Sequence, residues 1–130
     1  MDTFAKGFFT ALIFGIGCYY LPIWWLVAVG AGVAGFLFPN DALKSFGTGF
    51  LAIALLWWVQ TWWISSGNEG ILLAKIAQVL KMGATTIYFI SLFIGGLLGG
   101  MGFLTGSYLK LATFGNDTGR GKSKYRNKYR

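Results

Sequence analysis

A glycine-rich apolar stretch in the last third of the chain constrains the fold more than any other feature. Residues 90–110 contain six glycines and a single charged side chain, Lys110. On a helix, with about 100° between residues, four of these glycines and Ser91 fall on one narrow stripe, which lets helix backbones approach closely in a bilayer. The four are Gly95, Gly99, Gly102 and Gly106.

A second small-residue ridge on the same stretch consists of Gly96, Gly100 and Ser107. Two ridges on one helix predict close contacts with two neighbours. The stretch is therefore expected at the centre of a helix bundle or at an oligomer interface. Matching small residues occur earlier in the chain, among them Gly15 and Gly32.

The composition is typical of an integral membrane protein. Hydrophobic residues make up 55% of the 130 residues and charged residues only 12%, whereas soluble domains average about 25% charged. The chain has no histidine and one cysteine, Cys18, so a disulfide within these residues is excluded and a Cys/His metal site is not predicted.

Four apolar segments predict four transmembrane helices, arranged as two hairpins. Residues 4–38 exceed the length that crosses a hydrocarbon core of about 30 Å, and Pro22 divides them into two helices. One long kinked helix is the alternative. The predicted spans are residues 4–20, 22–38, 46–64 and 85–109.

A short amphipathic segment precedes the fourth span. Residues 71–81 place aliphatic side chains on one helix face and Lys75 and Gln78 on the other, a pattern that favours a helix lying in the membrane interface. The alternative is that these residues are the hydrated start of the fourth span. The predicted fold is thus an all-α transmembrane domain over residues 1–114, followed by a basic tail at 115–130.

Basic residues predict the orientation of this bundle. The N-terminus, the link at 40–45 and the C-terminal tail share one side and carry nine basic residues, against Lys75 and Lys81 on the other. The positive-inside rule then places both termini in the cytoplasm. The tryptophans fall near the opposite helix ends and predict an aromatic belt there. They are Trp24, Trp25, Trp57, Trp58, Trp62 and Trp63.

The predicted spans place no ionisable side chain deep in lipid. Ion-coupled transporters and intramembrane hydrolases depend on such groups, so no enzymatic activity, catalytic residue, metal site or cofactor is predicted. Gln60 is the one long polar side chain within a span, and we expect it to hydrogen-bond between helices or to line a polar pocket with Thr61. The aromatic belt around it is interpreted as an interfacial anchor, with a surface that cradles a lipid, a quinone or an apolar peptide as the alternative. Cys18 is interpreted as a small packing residue, with a nucleophile or acylation site as the alternative.

The tail carries a positive charge at every second position, with no acid after Asp117. Its simplest interpretation is an anchor attracted to anionic lipid headgroups. Docking to ribosomal RNA or to an acidic protein surface is the alternative, because Tyr125 and Tyr129 could stack on bases. The basic residues are Arg120, Lys122, Lys124, Arg126, Lys128 and Arg130.

Three segments, residues 46–58, 65–77 and 94–109, resemble those of small four-helix bacterial inner-membrane proteins. The resemblance implies four spans and a location in the bacterial inner membrane. It implies no activity and no site residues.

Together these patterns favour a non-catalytic accessory or assembly subunit of a larger inner-membrane complex. The ridge at Gly96 and Gly100, the outer tryptophans and the basic tail are expected to remain for partners. The alternative is a homo-oligomeric small pore, or a lipid-handling transporter, built around the glycine-rich helix.

Overall fold

The computed structural model describes residues 2–21 and 23–114, which form five α-helices and no strand. The all-α class predicted from the sequence is confirmed for these residues. The predicted basic tail lies outside them. The helices are α1 (Thr3–Tyr19), α2 (Leu26–Leu37), α3 (Ala42–Gly67), α4 (Ile71–Leu80) and α5 (Ala84–Phe114).

Four of the helices, α1, α2, α3 and α5, form an up-and-down bundle. Gly30 of α2 lies beside Phe14 of α1, and Ser45 near the start of α3 lies beside Ser107 near the end of α5. One end of the bundle therefore collects Lys6, Lys44 and Lys110, and we call it the lysine end. The opposite end carries α4.

Only α3 and α5 are long and apolar enough to cross a membrane among the helices of residues 2–21 and 23–114. Their 26 and 31 residues correspond to about 39 and 46 Å at 1.5 Å per residue, against about 30 Å of hydrocarbon. The 17 residues of α1 and 12 of α2 reach only about 26 and 18 Å. The described chain thus has two helices of spanning length where the sequence predicts four.

The turn between α1 and α2 accounts for the shorter second helix. The sequence predicts a helix from residue 22, but α2 begins at Leu26. At the start of α2, the N–H of Leu26 donates to the carbonyl of Ile23 at 3.2 Å, and the N–H of Ala28 donates to the carbonyl of Trp25 at 3.1 Å. These three-residue spacings form turns, because the chain must reverse between two closely packed helices. Trp24 and Trp25 consequently lie in the turn.

Phe103 of α5 occupies the centre of the bundle and is 0% exposed. A Cβ built on Gly7 of α1 would lie 2.8 Å from its ring, and the carbonyl of Phe103 occupies the place that a Cβ on Gly35 of α2 would need. The ring of Phe103 therefore fills the space beside Gly7 of α1, and the absence of a side chain at Gly35 lets α2 approach the backbone of α5. Ile53 and Leu56 of α3 are buried in the same core.

A buried polar cluster joins three helices near the lysine end. The hydroxyl of Ser107 donates to the carbonyl oxygen of Gly35 at 3.2 Å. The Ser45 hydroxyl lies 3.0 Å from Ser107 Oγ and 3.0 Å from the carbonyl oxygen of Asn40. This cluster fixes the register of α2 and α3 against α5.

We expect Ser107→Ala to lower the free energy of unfolding by about 1 kcal/mol, because hydrogen bonds between membrane helices contribute about 0.6 kcal/mol each on average. Thr105→Ala is the matched control, since its hydroxyl bonds only Met101 of its own helix. Unfolding of both variants by sodium dodecyl sulfate in a mild detergent, followed by circular dichroism, measures the difference. Equal stabilities would show that the cluster does not hold the register.

The short helix α4 lies on the outside of the bundle. None of its residues is buried, and only Leu73 and Ala77 are half-buried, against α3 and α5. The residues before and after α4 both adopt the left-handed backbone conformation, with φ of 73° at Gly70 and 53° at Lys81. It is thus a helix of its own and not the first turns of α5.

Candidate functional site

The predicted glycine stripe on α5 is divided between two neighbours. Gly95 and Gly99 face α3, where a Cβ on Gly95 would lie 2.5 Å from Cδ2 of Trp57. A Cβ on Gly99 would lie 2.5 Å from the carbonyl oxygen of Gly49, and one on Gly49 would meet the carbonyl of Gly99. The two backbones are therefore in direct contact, and α3 and α5 cannot accept a larger residue at this crossing.

The remaining two glycines of the stripe face α2. The carbonyl oxygen of Ala28 occupies the place of a Cβ on Gly102, and that of Gly32 the place of a Cβ on Gly106. Ala28 pairs with Gly102 and Gly32 with Gly106, so the residue numbers increase in the same direction along both helices, and α2 and α5 run parallel. Because most residues at this contact are glycines, few side chains cover it on the outer surface of the bundle, and a groove lies there between the two helices.

The second ridge of α5 is covered from within the bundle. A Cβ on Gly96 would lie 2.7 Å from the ring of Phe50, and one on Gly100 would lie 2.7 Å from the ring of Phe46. Both glycines are buried. The expectation that this ridge remains for a partner is therefore wrong, because α3 supplies two phenylalanines, four residues apart, that match two glycines with the same spacing.

The first helix packs through its own small residues. A Cβ on Gly15 would lie 2.6 Å from Cδ2 of Leu56, which places α1 tightly against α3. Cys18 is half-buried, and its thiol donates to the carbonyl of Leu26 at 3.4 Å. Cys18 thus lies in the α1–α2 contact.

The tryptophans divide into one packing residue and five exposed ones. Trp57 is half-buried over Gly95 and packs against the core. Gln60 is also half-buried, and its amide has no hydrogen bond to any other residue of the described ranges. It lines a 260 Å³ cleft with Trp24 and Cys18. The exposed tryptophans lie on the α1–α2 turn and the second half of α3, and they are Trp24, Trp25, Trp58, Trp62 and Trp63.

No group of three or more His, Cys, Asp or Glu side chains within residues 2–21 and 23–114 could hold a metal ion. The basic positions from Arg120 to Arg130 lie outside the described residues. Surface clefts of the bundle are the remaining candidate sites among the described residues.

An open apolar groove of about 630 Å³ runs between α2 and α5. Its floor consists of Gly32, Gly102 and Gly106, the residues at which the two backbones touch. Polar atoms are nearly absent from it, and the hydroxyl of Thr105 already bonds the carbonyl of Met101 at 2.8 Å. The walls are formed by Val29, Val33 and Phe36 of α2 and by Leu98, Met101 and Leu109 of α5.

A cation lies next to the groove at the lysine end. The Nζ of Lys110 donates to the carbonyl oxygen of Leu37, the last residue of α2, at 3.2 Å. A lysine at this position satisfies a carbonyl that the helix leaves without an intrahelical partner and interacts favourably with the negative end of the helix dipole. This hydrogen bond links the end of α2 to α5 beside the groove.

Comparison of the chain with models of known protein families, with curated proteins and with solved structures finds no match. The resemblance to small four-helix bacterial membrane proteins therefore stays an expectation from the sequence.

Proposed function

We propose that this protein is a non-catalytic accessory subunit of a larger inner-membrane complex, and that its α2–α5 groove holds a transmembrane helix of a partner subunit. The groove is the single observation that carries the proposal. Its glycine floor allows a helix to approach closely, which is how helices associate where lipid removes the hydrophobic driving force.

Exposed apolar surface supports placing the bundle in a membrane. Only 39% and 28% of the most apolar 18-residue windows of α3 and α5 are buried, whereas the core helix of a soluble protein is mostly buried. The outward faces of the shorter helices are apolar as well, with Ile13 and Ile16 of α1 and Val29 of α2 exposed.

Four spans follow if α1 and α2 also lie in the hydrocarbon. Their short lengths can be accommodated by local thinning of the bilayer, and Trp24 and Trp25 in the turn suit the interface. The lysine end then faces the cytoplasm, since it carries Lys6, Lys44 and Lys110 and the six basic residues of the tail follow α5 in the sequence. The tail would attract anionic headgroups or an acidic or RNA partner.

A partner helix fits the groove better than a second copy of this chain. A symmetric dimer would set the groove against itself, and two concave floors facing each other would leave an unfilled space. A separate convex helix fills the groove. It needs no polar side chain at the contact, because the hydroxyl of Thr105 is already bonded.

Site-specific crosslinking tests this proposal. In a Cys18→Ala background, Val33→Cys places a thiol in the groove, and Leu51→Cys places one on an exposed surface of α3 that does not line it. Each thiol carries a short photo-crosslinker in native membranes. We expect Val33→Cys, and not Leu51→Cys, to join one polypeptide through a transmembrane helix of that polypeptide.

Two outcomes would contradict the proposal. A product of twice 14.2 kDa from Val33→Cys would identify a homo-oligomer, the alternative architecture. Equal products from both positions, or none from either, would show that the groove has no particular protein occupant.

A further inference from the structure

We propose that a cavity beneath α4 binds an acyl chain of a phospholipid whose headgroup carries both a phosphate and an ammonium group with N–H donors, as in phosphatidylethanolamine. This site shares no residue with the α2–α5 groove and does not depend on the partner proposed for it.

The cavity lies between the end of α3, the inner face of α4 and the start of α5. Its volume is about 230 Å³, below the roughly 300–1,000 Å³ typical of sites that enclose a whole small molecule, so it suits part of a chain. Thr61 lines it, but its hydroxyl already bonds the carbonyl of Trp57 at 2.7 Å. The apolar lining is Ile64, Leu72, Leu73, Ile76 and Ile87.

A polar cleft of about 450 Å³ adjoins this cavity and shares Asn68 and Leu72 with it. The cleft carries one anion, Glu69, and one cation, Lys75. No ion pair joins these two side chains to each other or to another described residue. A chain in the cavity would therefore have its headgroup next to one unpaired charge of each sign.

The two charges select among headgroups. A phosphoethanolamine headgroup offers its phosphate to Lys75 and its ammonium N–H groups to Glu69, and both are charge-assisted hydrogen bonds. Phosphocholine has no N–H to donate. Phosphoglycerol has no cation and would leave Glu69 beside a negative charge.

A second cleft on the other side of Leu73 supports a bound amphiphile. This cleft of about 330 Å³ is lined by Leu73, Trp58 and Tyr88. The hydroxyl of Tyr88 is buried and has no hydrogen-bond partner within the described residues. Leaving such a group unpaired is unfavourable, and an ester oxygen of a lipid seated against α4 would give it an acceptor.

Native mass spectrometry of the detergent-solubilised protein tests the site. Phosphatidylethanolamine, phosphatidylcholine and phosphatidylglycerol with the same acyl chains are added separately, and retained lipid is counted. We expect phosphatidylethanolamine to be retained about tenfold more than either other lipid, the ratio given by one charge-assisted hydrogen bond of about 1.5 kcal/mol. Equal retention of the three lipids would overturn the proposal.

Two matched substitutions on α4 locate the binding. Ile76 lines the cavity and is 39% exposed, so Ile76→Trp places an indole ring in the cavity. Val79 is 82% exposed and does not line the cavity, so Val79→Trp adds the same ring outside it. Retention should fall about tenfold in Ile76→Trp and stay unchanged in Val79→Trp. Equal retention in the two variants would place the lipid elsewhere.

Charge removal tests the headgroup. Glu69→Gln should reduce the preference over phosphatidylcholine well below tenfold, because the amide oxygen accepts a hydrogen bond without the charge, and Lys75→Gln should weaken retention of all three lipids. Lys81→Gln, at the far end of α4 and outside the cleft, should change neither. An undiminished preference in Glu69→Gln would contradict the assigned contact.

Discussion

Gly49→Ala is expected to lower the free energy of unfolding by about 3 kcal/mol, at the upper end of the range typical of overpacked cores. A Cβ at this position would meet the carbonyl oxygen of Gly99 and lie 2.5 Å from the Cβ of Phe103. Neither obstacle is the end of a flexible side chain. The methyl group can be accommodated only if α3 and α5 move apart, which would loosen the longest contact in the bundle.

Gly47→Ala is the matched control for this substitution. Gly47 lies two residues earlier on α3, and a Cβ there would have nothing within 4 Å. The control should leave stability unchanged or raise it slightly, because alanine favours a helix over glycine by up to about 1 kcal/mol. Denaturation by sodium dodecyl sulfate, followed by circular dichroism, compares the two variants, and similar stabilities would refute the direct backbone contact between α3 and α5.

Phe103→Ala is expected to cost about 2–3 kcal/mol, less than the roughly 3–5 kcal/mol seen when this change is made in soluble cores. The reduction has a physical reason: lipid solvates a phenylalanine about as well as the protein interior does, so the cost comes mainly from the cavity left behind. That cavity would be bordered by Gly7, which lies against the ring and has no side chain to fill the space.

Phe89→Ala serves as the control on the same helix, because Phe89 is exposed. It should change the unfolding midpoint by far less than Phe103→Ala. Adding a small apolar molecule such as benzene offers a second measurement, since an enclosed apolar cavity binds such molecules. Stabilisation of Phe103→Ala, and not of Phe89→Ala, by benzene is the expected result. Equal midpoints would show that Phe103 is not the centre of the core.

The sequence predicts which residues of α5 pack closely because helical periodicity alone places them on one face. It does not predict what covers them. Phe46 and Phe50 repeat at the spacing of Gly96 and Gly100, but matching them requires the antiparallel register of α3 and α5, which is a property of the bundle. The same limit applies to Trp57. As a tryptophan near a helix end it is predicted to lie in the interface, but the register of α3 against α5 places its ring over Gly95.

The length of α2 shows a different limit. Hydropathy continues without a break through Trp24 and Trp25, so the pattern gives no sign that the helix begins only at Leu26. The geometry of the reversal decides this boundary. The α2–α5 groove could not be predicted either, because it depends on how deeply Gly102 and Gly106 let α2 approach. By contrast, the common end shared by Lys6, Lys44 and Lys110 follows directly from an even number of packed helices.

The mass of the complex formed by this protein in its native membrane tests the central claim most directly. Solubilised in a mild detergent and measured by native mass spectrometry, the chain is expected within an assembly that contains a different membrane polypeptide. Val33→Trp, which fills the groove, should release it, and Leu51→Trp should not. A wild-type chain found only as a 14.2 kDa monomer, or only with copies of itself, would contradict the account.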